Sequence, residues 1–252
     1  MTKRIQFLGV NIDTHNLSET VAQIEYQIQT RKPIHHVGVN ADKINLMKQN
    51  EKFKKIINAS PLINPDGMSM VMAARILKKP TIERVAGIDV MIHLLKISAA
   101  KGYRVYFLGT SELILKKLLK KVQQDYPSLQ IAGYHHGFFK QSEEAFVVED
   151  IKKAKADILF VALPSPRKEY FIDYYMERMA VPVSMGVGGS FDVIAGEMKR
   201  APMWMQRASL EWIYRMMQEP RRLAKRYIIG NIVFMSHVLR EKKLKKSEVK
   251  SG

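Results

Sequence analysis

The sequence predicts an α/β fold: a Rossmann-like, mostly parallel sheet flanked by helices, followed by a helical C-terminal appendage. Three observations carry this. Short apolar runs alternate with segments of helical periodicity up to about residue 198. Beyond "KRAP" only helical patterns remain. The positive charge also piles up there, with fourteen Lys/Arg against four Glu from Lys199 onward.

The elements follow in order. "RIQFLGVNI" reads as a strand or hairpin arm. "SETVAQIEYQIQTR" reads as a helix with Ser18 at the N-cap. "HHVGVNADKI" reads as a short strand running into a loop, and "PLINPDG" as a further strand end. "RVAGIDVMIHLLKISAAKG" is helical and stops at Gly102. "YRVYFLG" is a buried strand closing at Gly109, followed by the amphipathic "SELILKKLLKKVQQDYP". "QIAGYHHGFF" is a strand and turn. "ADILFVALPSP" is a fully apolar strand that leads into a helix around "KEYFIDYYMERM". "VPVSMGVGGSFDVIAG" is the last strand with its loop. The expected division is a catalytic core over 1–198 and a basic amphipathic appendage over 199–252. Pro220 breaks or kinks the appendage.

Composition narrows the function classes. The chain has 252 residues, 46% of them hydrophobic, enough for a sizeable core. It has no cysteine, which rules out disulfides and thiolate metal sites and suits a reducing compartment. "MTKRIQFLGVNI" resembles a first strand more than a leader, and "YIIGNIVFMSHVL" falls short of the ~20 residues needed to span a bilayer. The net charge of +17 calls for an anionic partner: nucleic acid, anionic lipid or a phosphorylated substrate.

In a sheet of this kind ligands gather beyond the carboxyl ends of the strands. The candidates there are Asn40 in "GVNADK", Asp66 in "NPDG", Gly109 and Thr110 in "FLGT", Gly137 in "HHGFF", and Gly188 and Asp192 in "GVGGSFD". Glycines at strand ends let backbone N–H groups approach phosphates, although tight turns account for glycines equally well. Asp66 has two local readings, a cap on the helix that follows it and a reactive carboxylate. Arg84 in "ERVAG" suits a phosphate or an ion pair with a neighbour such as Glu83. The late arginines, among them Arg200, Arg207, Arg215, Arg221 and Arg222, suit either an anion or a solvated helix face.

Several signatures are missing. There is no D-x-D pair, no H-E-x-x-H, no G-x-S-x-G and no G-x-x-x-x-G-K-[ST]. "GVGGSF" is not a true G-x-G-x-x-G. The pairs His35–His36 and His135–His136 place neighbours on opposite strand faces, so no metal site is expected.

Three blocks, "NPDGMSMVMAARILKKPTIERVAGIDV", "GVGGSFDVIAGEMKRAP" and "LEWIYRMMQEPRRLAKRY", closely resemble the WecG/TagA/CpsF glycosyltransferases (glycosyltransferase family 26). The resemblance runs from about residue 5 to residue 235. It implies an inverting, metal-independent transferase. Such an enzyme moves a sugar from a UDP-sugar to a polyprenyl-diphosphate-linked sugar during wall, capsule or exopolysaccharide synthesis. It implies a cytoplasmic protein, peripheral on the inner face of the membrane and able to self-associate, with an appendage that docks on anionic lipid and helps close the active site. By the same resemblance Asp66 is the base. Asn40 and Arg84 serve the donor, and Arg215 and Arg222 meet a diphosphate. The sequence departs from the family pattern at four places. Gly38 stands where the family has threonine, Pro164 where it has glycine and Lys168 where it has glutamine. Lys225 replaces an appendage arginine. Lys168 is thereby a candidate for a diphosphate or a sugar carboxylate. Two other classes compete: a non-catalytic nucleotide-binding module of the same fold, and a nucleic-acid-binding protein. The latter is disfavoured because aromatics are not interleaved with the basic run.

Overall fold

In the computed structural model, residues 4–207 and 210–251 are described, without the side chains at 207, 221–226, 245, 246 and 248–251. The chain opens with an antiparallel hairpin, β1 (Arg4–Phe7) and β2 (Val10–Asp13). Then come α1 (Leu17–Thr30), β3 (Ile34–Val39), α2 (Ala41–Gln49), α3 (Glu51–Ala59) and β4 (Leu62–Pro65). Next are α4 (Met68–Ile76), α5 (Gly87–Lys101), β5 (Arg104–Gly109), α6 (Glu112–Asp125) and β6 (Gln130–His135). The core closes with α7 (Glu144–Ala154), β7 (Ile158–Ala162), α8 (Arg167–Met179), β8 (Val183–Gly186) and the short α9 (Ser190–Ile194). Three helices follow: α10 (Met203–Arg207), α11 (Glu211–Gln218) and α12 (Pro220–Ser251). Pro220 thus ends one helix and begins the next, at a position where its missing N–H costs nothing.

Six strands form one sheet in the order β4-β3-β8-β7-β5-β6, and every pairing in it is parallel. The expected fold class holds. The central strands explain why: Val105 to Leu108 and Ile158 to Val161 are all buried, as a sheet covered on both faces requires. One face packs against α1, α5, α6 and α9 through Ile24, Leu94, Leu118 and Phe191. The other carries α7 and α8 at one end, and α2, α3, α4 and the hairpin at the other.

Local differences from the sequence reading have physical causes. The cap of α1 is Asn16, not Ser18. Asn16 Oδ1 accepts the Glu19 N–H at 2.9 Å and Glu19 Oε2 accepts the Asn16 N–H at 2.9 Å, a reciprocal box that starts the helix earlier. The expected loop after β3 is helix α2. Its polar surface hides a short apolar side, Ala41, Ile44 and Met47. Helices α3 and α7 also stand in segments where the sequence reading placed no element. In the appendage Phe234 and Val238 are buried in the same cluster as Ile44, Met47 and Met70, so α12 lies against α2 and α4. The close approach is visible at Gly230, whose carbonyl accepts the Asn45 side-chain amide at 2.8 Å. Glu241 Oε2 in turn accepts the Leu8 N–H of the hairpin at 2.7 Å.

Strand β3 carries His35 and His36, both buried. His36 Nε2 is 2.9 Å from Asn64 Oδ1, and the Asn64 amide donates to Thr20 Oγ1 at 2.9 Å. Burial pushes His35 down to about 3, helped by the nearby Lys43 charge, and pushes His36 down to about 4 despite the Asn64 bond. Both are lowered below the unfolded value, so below pH 6.5 the unfolded chain takes up protons that the folded chain refuses. Stability therefore falls as pH drops from about 6.5. By pH 5 the loss reaches at most about 2 kcal/mol per histidine. Urea midpoints at pH 7 and pH 5 check this, and in His36→Gln the pH-dependent loss shrinks by about half.

Candidate active site

Strands β3 and β8 are neighbours, but the chain leaves β3 into α2 on one face and β8 into α9 on the other. Parallel sheets open a crevice at such a reversal, beyond the carboxyl ends of the strands. Asn40 follows β3, Asp66 follows β4, and Val187 to Gly189 follow β8, so all three loops meet this crevice.

Asp66 is held from two sides. Its N–H donates to the Val39 carbonyl at 2.8 Å, and its Oδ1 accepts the Gly87 N–H at 2.8 Å. The carboxylate therefore caps a helix, but α5 and not the adjacent α4, whose N-cap Gly67 provides no side-chain bond. Only one carboxylate oxygen is used for this cap. Gly38 makes the room: a Cβ there would lie 3.0 Å from Asp66 Cβ and 3.6 Å from Oδ2. The space a side chain would take at Gly38 is thus filled by Asp66 itself. Asn40 Oδ1 caps α2 through the Lys43 N–H at 3.1 Å, and its Cβ lies 3.4 Å from where a Cβ on Gly67 would sit.

Arg84 does not pair with Glu83. Its Nε reaches the Asp66 carbonyl at 3.4 Å, and its Nη2 meets Glu211 Oε2 at 2.6 Å, across 127 residues of chain. Arg200 extends this contact. It pairs with Asp89 Oδ1 at 2.5 Å and lies 3.8 Å from Glu211 Oε1. One turn beyond Glu211, on the same side of α11, Arg215 reaches over the β8 loop. Its Nη2 is 3.0 Å from the place a Cβ on Gly189 would take. Gly188 has φ +52° and nothing within 4 Å of such a Cβ, so its backbone is open. Asp192 sits on α9 with Oδ2 3.7 Å from the same Gly189 position. The side chain of Arg222 lies outside the described residues.

Beneath the crevice lies a buried ion triad that the sequence reading found only in part. Glu169 Oε1 is 3.1 Å from Lys43 Nζ and 3.0 Å from Lys168 Nζ. Glu169 Oε2 accepts from Ser165 Oγ at 2.9 Å, and Lys43 Nζ donates to the Gly38 carbonyl at 2.8 Å. Burial brings Lys168 down to about 8, with the Lys43 charge acting in the same direction. Burial alone raises the Glu169 carboxyl, but the two ammonium charges outweigh it and bring the group down to about 2. Gly186 admits the Lys168 stem, since a Cβ there would be 2.9 Å from Lys168 Cε.

Gly109, Thr110 and Gly137 form a separate group at the ends of β5 and β6. The Thr110 N–H donates to Ala162 O at 3.3 Å and the Gly137 N–H to Thr110 O at 2.8 Å. A Cβ at Gly109 would lie 2.6 Å from Ala162 backbone atoms, and one at Gly137 would lie 2.9 Å from Leu163 Cδ2. Close packing accounts for both glycines, and among the described residues no hydrogen bond or ion pair joins this group to Asp66.

The Glycosyl transferase WecG/TagA/CpsF family model matches residues 5–248. The chain belongs to this family. Relatives of the WecG/TagA/CpsF chain include a protein of Bacillus subtilis (strain 168), 37% identical over 76% of this chain and 73% of its own. Another, from Staphylococcus aureus (strain MW2), is 31% identical over 98% of this chain and 97% of its own. Both are named N-acetylglucosaminyldiphosphoundecaprenol N-acetyl-beta-D-mannosaminyltransferase. The family blocks recognised in the sequence supply the Arg84, Asp89, Arg200 and Glu211 cluster. Asp89 and Glu211 escaped the candidate set because a charge inside a helical pattern reads as solvated. The available signal was their opposite sign to arginines in neighbouring blocks.

The triad gives a direct test. Glu169→Gln strands two buried ammonium groups and is expected to cost about 3 kcal/mol. Lys168→Gln leaves the Lys43–Glu169 pair and is expected to cost about 1 kcal/mol. Urea unfolding of both variants at pH 7 measures the difference.

Proposed function

We propose that this glycosyltransferase moves a sugar from a UDP-sugar to a polyprenyl-diphosphate-linked sugar by a single inverting displacement, without a metal. The observation that carries the reading is Asp66: a carboxylate at the crevice, oriented through Oδ1 by the Gly87 N–H, with Oδ2 not used by that bond. A base needs this combination of fixed direction and a spare oxygen. In the proposed step the acceptor hydroxyl gives its proton to Asp66 as its oxygen attacks the anomeric carbon. The bond to UDP breaks on the opposite face, and the electron pair leaves with the diphosphate. The configuration inverts.

Negative charge grows on the departing diphosphate, and fixed cations and N–H groups lower that cost. Arg84, Arg215 and the open backbone at Gly188 supply them in this reading, in place of a metal ion. Asn40 lies on the donor side by the family pattern. The relatives' names support an undecaprenyl-diphosphate-linked acceptor. N-acetylmannosamine is the first donor sugar to test, with Lys168 as one of the four positions that set this chain apart from the family pattern.

The membrane surface is the natural meeting place for such an acceptor. No described helix is long and apolar enough to cross a bilayer. The appendage exposes Met203, Trp204, Trp212, Met217, Ile228, Ile229 and Ile232 beside its lysines and arginines, a combination suited to an anionic lipid surface. Phe234 and Met205 of the appendage are buried and do not contribute to that face.

Two measurements test the proposal. UDP release is followed for a panel of UDP-sugars in EDTA, with and without a polyprenyl-diphosphate-linked sugar. Release with one donor, dependent on acceptor, is the expected result; no release with any pair, despite UDP binding, favours a non-catalytic nucleotide module. In Asp66→Asn the amide oxygen keeps the Gly87 bond while the base is lost. UDP binding is expected to persist and turnover to fall about 10²- to 10⁴-fold. Turnover near the wild-type rate removes Asp66 from the mechanism.

A further inference from the structure

The charged groups between core and appendage form one alternating chain: Asp89, Arg200, Glu211, Arg84. They come from the start of α5, the segment before α10, the first residue of α11 and the loop before α5. All four are largely withdrawn from solvent, with side-chain exposures of 32%, 26%, 18% and 21%. Screening by salt is therefore weaker than for a surface pair. Glu211 is the centre, since it alone touches both arginines.

The geometry of Arg84 shows what this accomplishes. A free arginine in a loop samples many rotamers, and holding it costs up to about 2 kcal/mol of entropy. Here the guanidinium is pinned at two nitrogens, Nε by the Asp66 carbonyl and Nη2 by Glu211. Nη1 has no partner among the described residues and is the nitrogen left to an incoming anion. Glu211 also lies one turn from Arg215 on the same face of α11. When Glu211 seats on Arg84, Arg215 reaches Gly189. One contact thus sets two arginines from distant parts of the chain around one crevice.

We propose that Glu211 is the positioning residue of the donor site: it orients Arg84 and docks α11 so that Arg84 and Arg215 act together on the donor diphosphate. This rests on the donor reading given above. Glu211 itself does not touch the reacting atoms. Its carboxylate offsets the paired arginines, which otherwise repel each other when the site is empty.

The test uses the full chain and the variants Glu211→Ala, Glu211→Gln and Arg200→Gln. Amide hydrogen exchange reads the docking without any nucleotide. In Glu211→Ala, exchange is expected to rise about tenfold both at 83–89 and at 211–218, with the strands unchanged. UDP binding by calorimetry is expected to weaken about tenfold. Glu211→Gln keeps a hydrogen bond to Arg84 without the charge and falls between; it also carries the test where Glu211→Ala does not fold. The Arg200→Gln and Glu211→Gln effects on UDP affinity are expected to be less than additive, which a general loss of stability does not produce.

Faster exchange confined to 211–218, or unchanged UDP affinity in Glu211→Ala, overturns the proposal. So does tighter UDP binding in Glu211→Gln, because Glu211 then competes for the diphosphate's place. A wild-type chain that binds no UDP overturns the donor site and, with it, this role of Glu211, whatever the exchange shows. A wild type that binds UDP, with variants that bind it equally well, overturns the positioning role alone.

Discussion

The hydrogen bond from the Gly87 N–H to Asp66 Oδ1 joins parts of the fold that the sheet keeps separate. Asp66 follows β4, an edge strand, while Gly87 begins α5, which packs on the opposite face from α4's cluster. One charge-assisted bond fixes the angle between them. It also decides which way the second carboxylate oxygen points. Gly38 and Arg84 then take their meaning from Asp66: the glycine clears its space, and the arginine grips its carbonyl. A different rotamer at this residue would break the Gly87 bond and redirect the second oxygen, whereas the Arg84 contact, made to the backbone carbonyl, would survive.

Charge is handled differently on the two sides of the crevice. Below it, Lys43, Lys168 and Glu169 are buried, with Glu169 fully enclosed. Such groups are costly to bury and become tolerable only through close mutual contact. Above it, Arg84, Arg200 and Glu211 are reached partly by water. The lower cluster is a fixed foundation, while the upper one joins two segments that lie far apart along the chain. Rigidity below and exchangeable contacts above suit the entry and release of the large anion proposed for this site.

How much of this was legible in the sequence depended on how local the determining interaction was. Strands β5 and β7 were legible because a strand buried on both faces must be continuously apolar. Helix α2 was not, because its apolar side is only a few residues wide and its cap, Asn40, also looks like a turn residue. Asp66 was legible as a capping or reactive group. The helix it caps was not, since the partner lies 21 residues on and no local rule reaches that far. Lys168 stood out as a departure from a known pattern, but its burial beside Lys43 depends on β3 lying next to β8. Asp89 and Glu211 were hidden in plain view, in blocks that signalled kinship while their pairing remained a matter of three dimensions.

The placement of α12 changes what the appendage is. Phe234 and Val238 sit within the same apolar cluster as the first strands of the chain, and Glu241 is bonded to the turn of the opening hairpin. The segment that carries the most positive charge is therefore also a wall of the protein's interior. A force applied to α12 is transmitted to β1, α2 and, through Asn40, to the rim of the crevice. The appendage and the rim of the crevice are therefore mechanically one object, so a load on the outer face of α12 bears on the shape of the crevice as well.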